Sequence, residues 1–223
     1  MIIVMISPEG YYQENLKDKT AAQIMTKIRS LKREIARLKR VLEHPDYVCK
    51  RKPSELTQLS CTQQYLERAK RALIDAGGIY IPTKTEEKIA AFNERLANIS
   101  KVTFVIGGYL TGCETKVVTV AQNGLHLWTE KFHVFVKTPE VEYSCDVQSF
   151  VEDLRGLNLG EWRKWYDTER YGIAVLDGTH WELCLSFNDG QSDIKFHGSN
   201  AYPYNFAKLQ ELFDDLWLAG FEE

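Results

Sequence analysis

The sequence predicts an α+β protein: an N-terminal antiparallel helical hairpin and a third helix, then an antiparallel sheet with helices on one face. Three observations predict it. Apolar residues recur at spacings of 4, 3, 4, 3 and 4 from Ile24 to Leu42, the interval of a coiled-coil-like helical seam. From about residue 101 the period becomes that of strands, with β-branched runs at Val102–Ile106 and Thr115–Val120 and an Asn123-Gly124 hairpin signal. Strand-like and helical stretches then alternate to the C-terminal end, the order expected of a sheet covered by helices.

The first long helix runs from a cap at Thr20, completed by Gln23 as a capping box, to Glu43–His44, because Pro45 disfavours helical geometry in its predecessor. Its seam is Ile24, Ile28, Leu31, Ile35, Leu38 and Leu42. Ser54 caps a second helix that reaches Ala76 and stops at Gly77-Gly78, with Leu59, Thr62, Leu66, Ala69, Leu73 and Ala76 as its seam. Two seams joined by a short loop predict a hairpin packed on itself. The first seam also suits an intermolecular coiled coil, which would make the chain a homodimer. Met1–Ile6 reads as a short strand or extended segment.

After Pro82 a third helix is expected over Thr85–Asn98, capped by Thr83 or Thr85. Three antiparallel strands should fill 101–137, the last of them Leu125–Val136, and Pro139–Cys145 reads as a connection. A helix is expected over 146–156 and a short second one over Glu161–Asp167, where Trp162, Trp165 and Tyr166 share a helical face. Strands are expected at Tyr171–Leu176, Trp181–Phe187 and Ile194–His197, with Asp189-Gly190 as the last turn. A final helix from Pro203 carries Phe206, Leu209, Phe213, Leu216 and Trp217 inward and ends at Gly220. The domains expected are therefore 1–82, a basic helical hairpin, and 83–223, an acidic α+β domain.

Composition excludes several classes. At 44% hydrophobic and 12% aromatic residues the chain has enough apolar side chain for a core. Its apolar-rich runs fall far short of the roughly 20 residues a membrane helix needs, and Met1–Ile6 lacks the charged and cleavage regions of a signal peptide. A cytoplasmic location is expected. The five cysteines (Cys49, Cys61, Cys113, Cys145 and Cys184) are scattered without a CxxC pair, so a zinc site is not implied and they read as small buried hydrophobes. Neither HExxH, GxSxG nor a phosphate-binding GxxxxGK[ST] occurs, and no cofactor is implied. The glycines around Tyr109 sit between two strands, which makes them a hairpin or bulge and not a phosphate cradle.

Charge is unevenly distributed. Residues 1–100 carry 18 Lys+Arg against 12 Asp+Glu, whereas 101–223 carry 10 against 19. Two candidate binding faces follow. The basic one takes Lys32, Arg33, Lys39 and Arg40 on the first helix with Lys50, Arg51 and Lys52 in the loop after it. Such a surface neutralises phosphates, although it lacks interleaved aromatics for stacking on bases. The acidic one takes Asp153, Glu161, Asp167, Glu169, Asp189, Asp193, Asp214 and Asp215, which would compete for a basic groove on a partner. Of the five histidines, only His180 approaches an acid–base pair, because Glu182 points the same way on a strand. That pair is the weakest candidate, and the aromatic stripe and the Gly198–Phe206 turn read first as structure.

Three blocks resemble a bacterial protein family without an assigned activity, found mainly in Gram-positive gut species and often near mobile elements. They are Lys27–Tyr47 with Ser60-Cys61-Thr62 and Tyr65–Ala69, then Gly160-Glu161-Trp162-Arg163, then Asp177–Leu183 with the Gly198-Ser199-Asn200-Ala201-Tyr202-Pro203-Tyr204-Asn205-Phe206 motif. The resemblance implies no catalytic residues, and its setting implies a role in phage–host or plasmid–host conflict. The expected function is a non-catalytic macromolecule-binding protein, in its most concrete form a mobile-element inhibitor of a host nucleic-acid-handling defence system, anti-CRISPR-like. The alternative is a nucleic-acid-binding accessory protein that uses the basic first helix. A protein partner is expected before nucleic acid, and no membrane.

Overall fold

The computed structural model describes residues 5–49, 52–108, 112–131, 136–137, 141–143, 147–175 and 177–221. Met1–Val4, Lys50, Arg51, residues 109–111 of the expected glycine-rich turn, His133, the Pro139–Glu140 and Ser144–Cys145 parts of the expected connection, and Leu176 lie outside the described residues. The fold is α+β, and the chain divides into two compact units, Met1–Pro82 and Thr83–Glu223.

The described residues of the first unit form three helices. α1 (Pro8–Asn15) is capped by Ser7, whose hydroxyl accepts from Gly10 N, with Pro8 in the first turn. It packs on the helix that carries Tyr65 through stacked Tyr11 and Tyr65 rings 4.4 Å apart, and the Tyr65 hydroxyl donates to the Ile6 carbonyl at 2.6 Å. α2 (Ala21–Leu42) begins with the Thr20–Gln23 capping box, both of whose bonds form. α3 (Glu55–Asp75) begins at a Ser54 cap. It ends in a Schellman motif: Gly77 is left-handed (φ 73°), and Gly78 N donates to Leu73 O while Gly77 N donates to Ile74 O.

The seams meet as their spacing requires. Ile24, Ile28, Leu31 and Leu38 of α2 are buried, as are Leu59, Thr62, Leu66, Ala69 and Leu73 of α3. Ala76, read as the last seam residue, is the exposed C-cap instead. The α2 seam is occupied by α3 of the same chain. An intermolecular coiled coil through that seam would have to displace it.

The second unit opens with α4 (Lys84–Arg95), capped by Thr83 in a box with Glu86. The strands that follow among the described residues are β1 (Ile99–Gly108), β2 (Gly112–Ala121), β3 (Gly124–Lys131), β4 (Val136–Lys137), β5 (Val141–Tyr143), β6 (Trp165–Asp167), β7 (Thr179–Phe187) and β8 (Ile194–Ser199). They form one sheet in the order β4-β3-β2-β1-β7-β8-β6, with β5 also on β3. The β2–β3 turn closes at the Ala121↔Gly124 pair, so its two loop residues are Gln122 and Asn123, one position before the expected pair. Helices α5 (Val147–Gly156) and α6 (Phe206–Phe221) complete the unit, and α6 continues through Gly220.

Alternation places one set of strand side chains in the core. Trp181, Leu183, Leu185 and Phe187 of β7 are buried, and their neighbours His180, Glu182, Cys184 and Ser186 point to the other face. Phe104 of β1 meets both Phe206 and Phe213 of α6, and Phe92 of α4 meets Phe196 of β8, which puts these helices on one face. Phe150, Val151 and Leu154 of α5 join the same core.

Five expectations are corrected. Glu161–Asp167 is not a helix: a 3-10 turn at Leu159–Glu161 leads into β6, which adds to the edge strand β8 in parallel. The sheet is therefore mixed and not wholly antiparallel. Tyr171–Leu176 gives no strand among its described residues, because a 3-10 turn over Glu169–Tyr171 ends at left-handed Gly172. The Leu125–Val136 run breaks into β3 and β4, and the expected connection contains β5, both paired to the outer edge of β3.

Leu38 is fully buried, so Leu38→Ala should lower unfolding free energy by about 2–5 kcal/mol, and Thr20→Ala by about 1 kcal/mol. Urea denaturation followed by circular dichroism checks both. Equal losses from the two substitutions would contradict the packing described.

Candidate binding surfaces

The most distinctive segment of the chain, Gly198–Phe206, is spent on the core. Asn200 adopts a left-handed φ of 52°, and its Oδ1 accepts from Thr179 N at 2.8 Å. The Trp181 indole donates to Ala201 O at 2.9 Å, and the Trp162 indole donates to Asn205 Oδ1 at 2.9 Å. Asn205 Nδ2 in turn donates to Leu157 O. A Cβ on Gly198 would stand 2.1 Å from the Trp181 indole nitrogen, so only glycine fits there. Tyr202 packs on Phe206, and the Tyr204 hydroxyl donates to Glu161 at 2.9 Å.

The aromatic stripe separates in the same region. Trp162 and Tyr166 are buried, whereas Trp165 is 56% exposed and leans on His197 with ring centroids 5.6 Å apart. Their i, i+3, i+4 spacing mimics a helix face. In β6, Tyr166 and Trp165 instead alternate across the sheet, and Tyr166 OH accepts from Arg163 N at 3.0 Å.

The open face of the sheet holds His180 and Glu182. Glu182 does not engage His180; its carboxylate meets His197 Nδ1 at 3.1 Å and Lys195 Nζ at 3.6 Å, both from the adjacent strand. His197, which sequence reasoning passed over, is the register partner of Glu182, and the Asp189-Gly190 turn was the signal that could have placed it there. The side chains remain 37% (Glu182), 33% (His197) and 54% (Lys195) exposed, so water reaches the whole group.

The acidic candidates do not converge on one face. Asp189 takes Arg95 Nε at 2.6 Å, and that bond above all holds its carboxyl below the usual carboxylate range. Asp193 accepts from Ser186 at 2.9 Å, and Asp167 accepts from Arg170 N at 2.9 Å. Asp214 receives Lys116 Nζ at 2.6 Å, and Glu161 receives Tyr204. Glu169 is exposed in its 3-10 turn. Asp153 and Asp215 do come together, across a groove of about 520 Å³ between α5 and α6. Glu152 and Glu211, two acids not singled out from the sequence, join them there with Lys208, over a floor that includes Leu157, Leu212 and Leu216. Glu211 precedes Asp215 by one helical turn, a legible signal that was missed. Glu152 is bonded to Arg155 at 2.5 Å. Among the described residues Asp153, Glu211 and Asp215 have no ion-pair partner.

Four of the basic candidates lie on α2 and Lys52 follows it, whereas Lys50 and Arg51 lie outside the described residues. Arg33 and Arg40 are exposed, Lys39 is half-buried, and Lys32 lies half-buried with Nζ 5.1 Å over the Tyr80 ring. Lys52 is exposed before Pro53. Near the end of α2 a hollow of about 700 Å³ is lined by Arg37, Arg40, His44, Tyr47 and Glu55 among others. Glu55 is buried at the start of α3 and accepts the Tyr47 hydroxyl at 2.9 Å. Burial, then that bond, pushes the Tyr47 hydroxyl well above its ordinary pKa. Among the described residues no cluster of His, Cys, Asp and Glu is arranged to hold a metal ion, and no helix is long and apolar enough to cross a membrane. No protein-family model, curated protein or solved structure matches the chain.

Asn205→Ala would strand the Trp162 indole and the Leu157 carbonyl inside the core. The expected cost is about 2–4 kcal/mol, several times that of an exposed asparagine. Thermal unfolding of the variant beside Asn188→Ala, at an exposed site, provides the comparison; similar melting temperatures would contradict the clip.

Proposed function

We propose that this chain is a non-catalytic macromolecule-binding protein whose second unit offers the α5–α6 groove to a basic protein surface. One observation carries the reading: three unpaired carboxylates, Asp153, Glu211 and Asp215, rim a groove with a leucine floor. Against these carboxylates the groove holds one cation, Lys208, so its net charge is negative; a net negative rim steers a basic partner, and an apolar floor supplies contact area once water leaves. A mobile-element inhibitor of a nucleic-acid-handling host system, anti-CRISPR-like, would use such a surface to occupy a basic channel that otherwise receives phosphate. The non-catalytic part rests on the Glu182–His197–Lys195 group, whose side chains contact one another on a wetted sheet face. Acid–base chemistry gains most where water is excluded.

The test uses the full chain as bait in nuclease-treated lysate of a Gram-positive host, beside a variant carrying Asp153→Lys, Glu211→Lys and Asp215→Lys. A protein captured by the wild type should be lost from the variant. With that protein purified, affinity should fall at least about tenfold, the equivalent of roughly 1.4 kcal/mol. Unchanged capture by a variant with wild-type circular dichroism would sink the reading.

A further inference from the structure

A second charged surface lies in the first unit, apart from the acidic groove. On α2 the residues Ala22, Thr26, Arg29, Arg33, Ala36 and Arg40 are all exposed. Their spacing of 4, 3, 4, 3 and 4 repeats that of the buried seam on the opposite side of the helix. Packing on α3 therefore fixes which way this ridge points: outward along its length. The ridge contains three arginines and no acid.

The arginines are not spent inside the unit. Among the described residues Arg29 and Arg33 form no ion pair, and Arg40 commits only its Nε, to the Ala36 carbonyl at 3.3 Å. Glu34, the one acid between Lys27 and Arg40, is held in a two-point bond by Arg37 at 2.8 and 2.6 Å and so does not neutralise the ridge. An ordinary solvated helix face intersperses both signs. Here one sign is left over along one helix face, and the alanines keep the ridge low enough for a bulky anion to reach each guanidinium.

Geometry narrows the anion. From Arg29 to Arg40 the helix advances about 16 Å, a length over which a duplex presents roughly ten phosphate charges. Guanidinium groups bond phosphate oxygens in pairs. The ridge offers neither aromatic rings to stack on single-stranded bases nor amide side chains to read base edges. Three guanidinium groups of one sign along a single helix face suit a continuous polyanion better than the irregular, mixed charges of a folded protein surface. We propose that the Arg29–Arg33–Arg40 ridge docks on the phosphate backbone of duplex nucleic acid without reading its sequence.

The experiment is fluorescence anisotropy of the full chain with two short labelled DNA duplexes of unrelated sequence, titrated at increasing salt. Both duplexes should bind alike, and affinity should fall about 40-fold between 50 and 200 mM salt if three phosphates are neutralised. A variant with Arg29→Gln, Arg33→Gln and Arg40→Gln should bind at least about tenfold more weakly at the lowest salt and show a flatter salt slope. All three positions are exposed, so circular dichroism should be unchanged. The proposal is overturned if no binding appears at low salt, or if the triple variant keeps wild-type affinity and slope. It is also overturned if polyglutamate displaces the duplex as well as unlabelled duplex does, which would assign the ridge to an acidic protein. Failure of the groove variant to lose its protein partner leaves this result untouched, because groove and ridge belong to different units.

Discussion

Asn205 and the two indoles around it are what the second unit depends on. One buried amide accepts from Trp162 and donates to Leu157, while Trp181 donates to Ala201 a few residues away. These bonds join the chain after α5, the strand β7 and the entry into α6, three segments far apart in sequence. Inside a core each such bond is strong and each missing partner is costly, so the network favours one arrangement of these segments over its neighbours. The glycine at 198 follows from the same constraint, since the indole of Trp181 occupies the space a side chain would need. Once the polar atoms of the Gly198–Phe206 motif are used inward, its unusual composition has a physical cause that involves no ligand.

That conclusion moves function to the exterior. The first unit buries one heptad row of α2 against α3 and turns the opposite row to solvent, so its chemistry lies in what that outer row carries. The second unit covers one sheet face with helices and leaves α5 and α6 with an acid-rimmed groove between them. Surfaces of opposite sign on the two units account for the charge asymmetry of the sequence without making the fold depend on it. Surface ion pairs contribute little to stability, which leaves unpaired surface charge free to serve recognition.

Local signals were legible and distant ones were not. The caps at Thr20, Ser54 and Thr83, the Gly77-Gly78 stop and both α2 and α3 seams could be read because each rests on residues a turn or two apart. α1 carried an equally local signal, Ser7 followed by Pro8, and was passed over because an eight-residue helix shows little periodicity. The 161–167 stretch misled for a different reason: its aromatic spacing fits a helix, and only bonds to β8 and to Asn205 make it a turn and a strand. The acidic set failed to gather on one face partly because some of its members find partners across the fold. Asp189 reaches Arg95, 94 residues away, and Asp214 reaches Lys116, 98 residues away. No window of sequence shows which surface acids will be consumed in this way.

The most direct test of the central claim, that the C-terminal motif is a buried clip and not a binding loop, is hydrogen exchange at the tryptophan indoles followed by NMR. Trp162 and Trp181 each donate their indole N–H inside the core, whereas Trp165 is exposed. The account predicts that the Trp162 and Trp181 indole protons exchange only when the whole unit opens, with protection close to the global unfolding free energy, while Trp165 exchanges at once. Rapid exchange at Trp162 and Trp181 in the folded protein would contradict it.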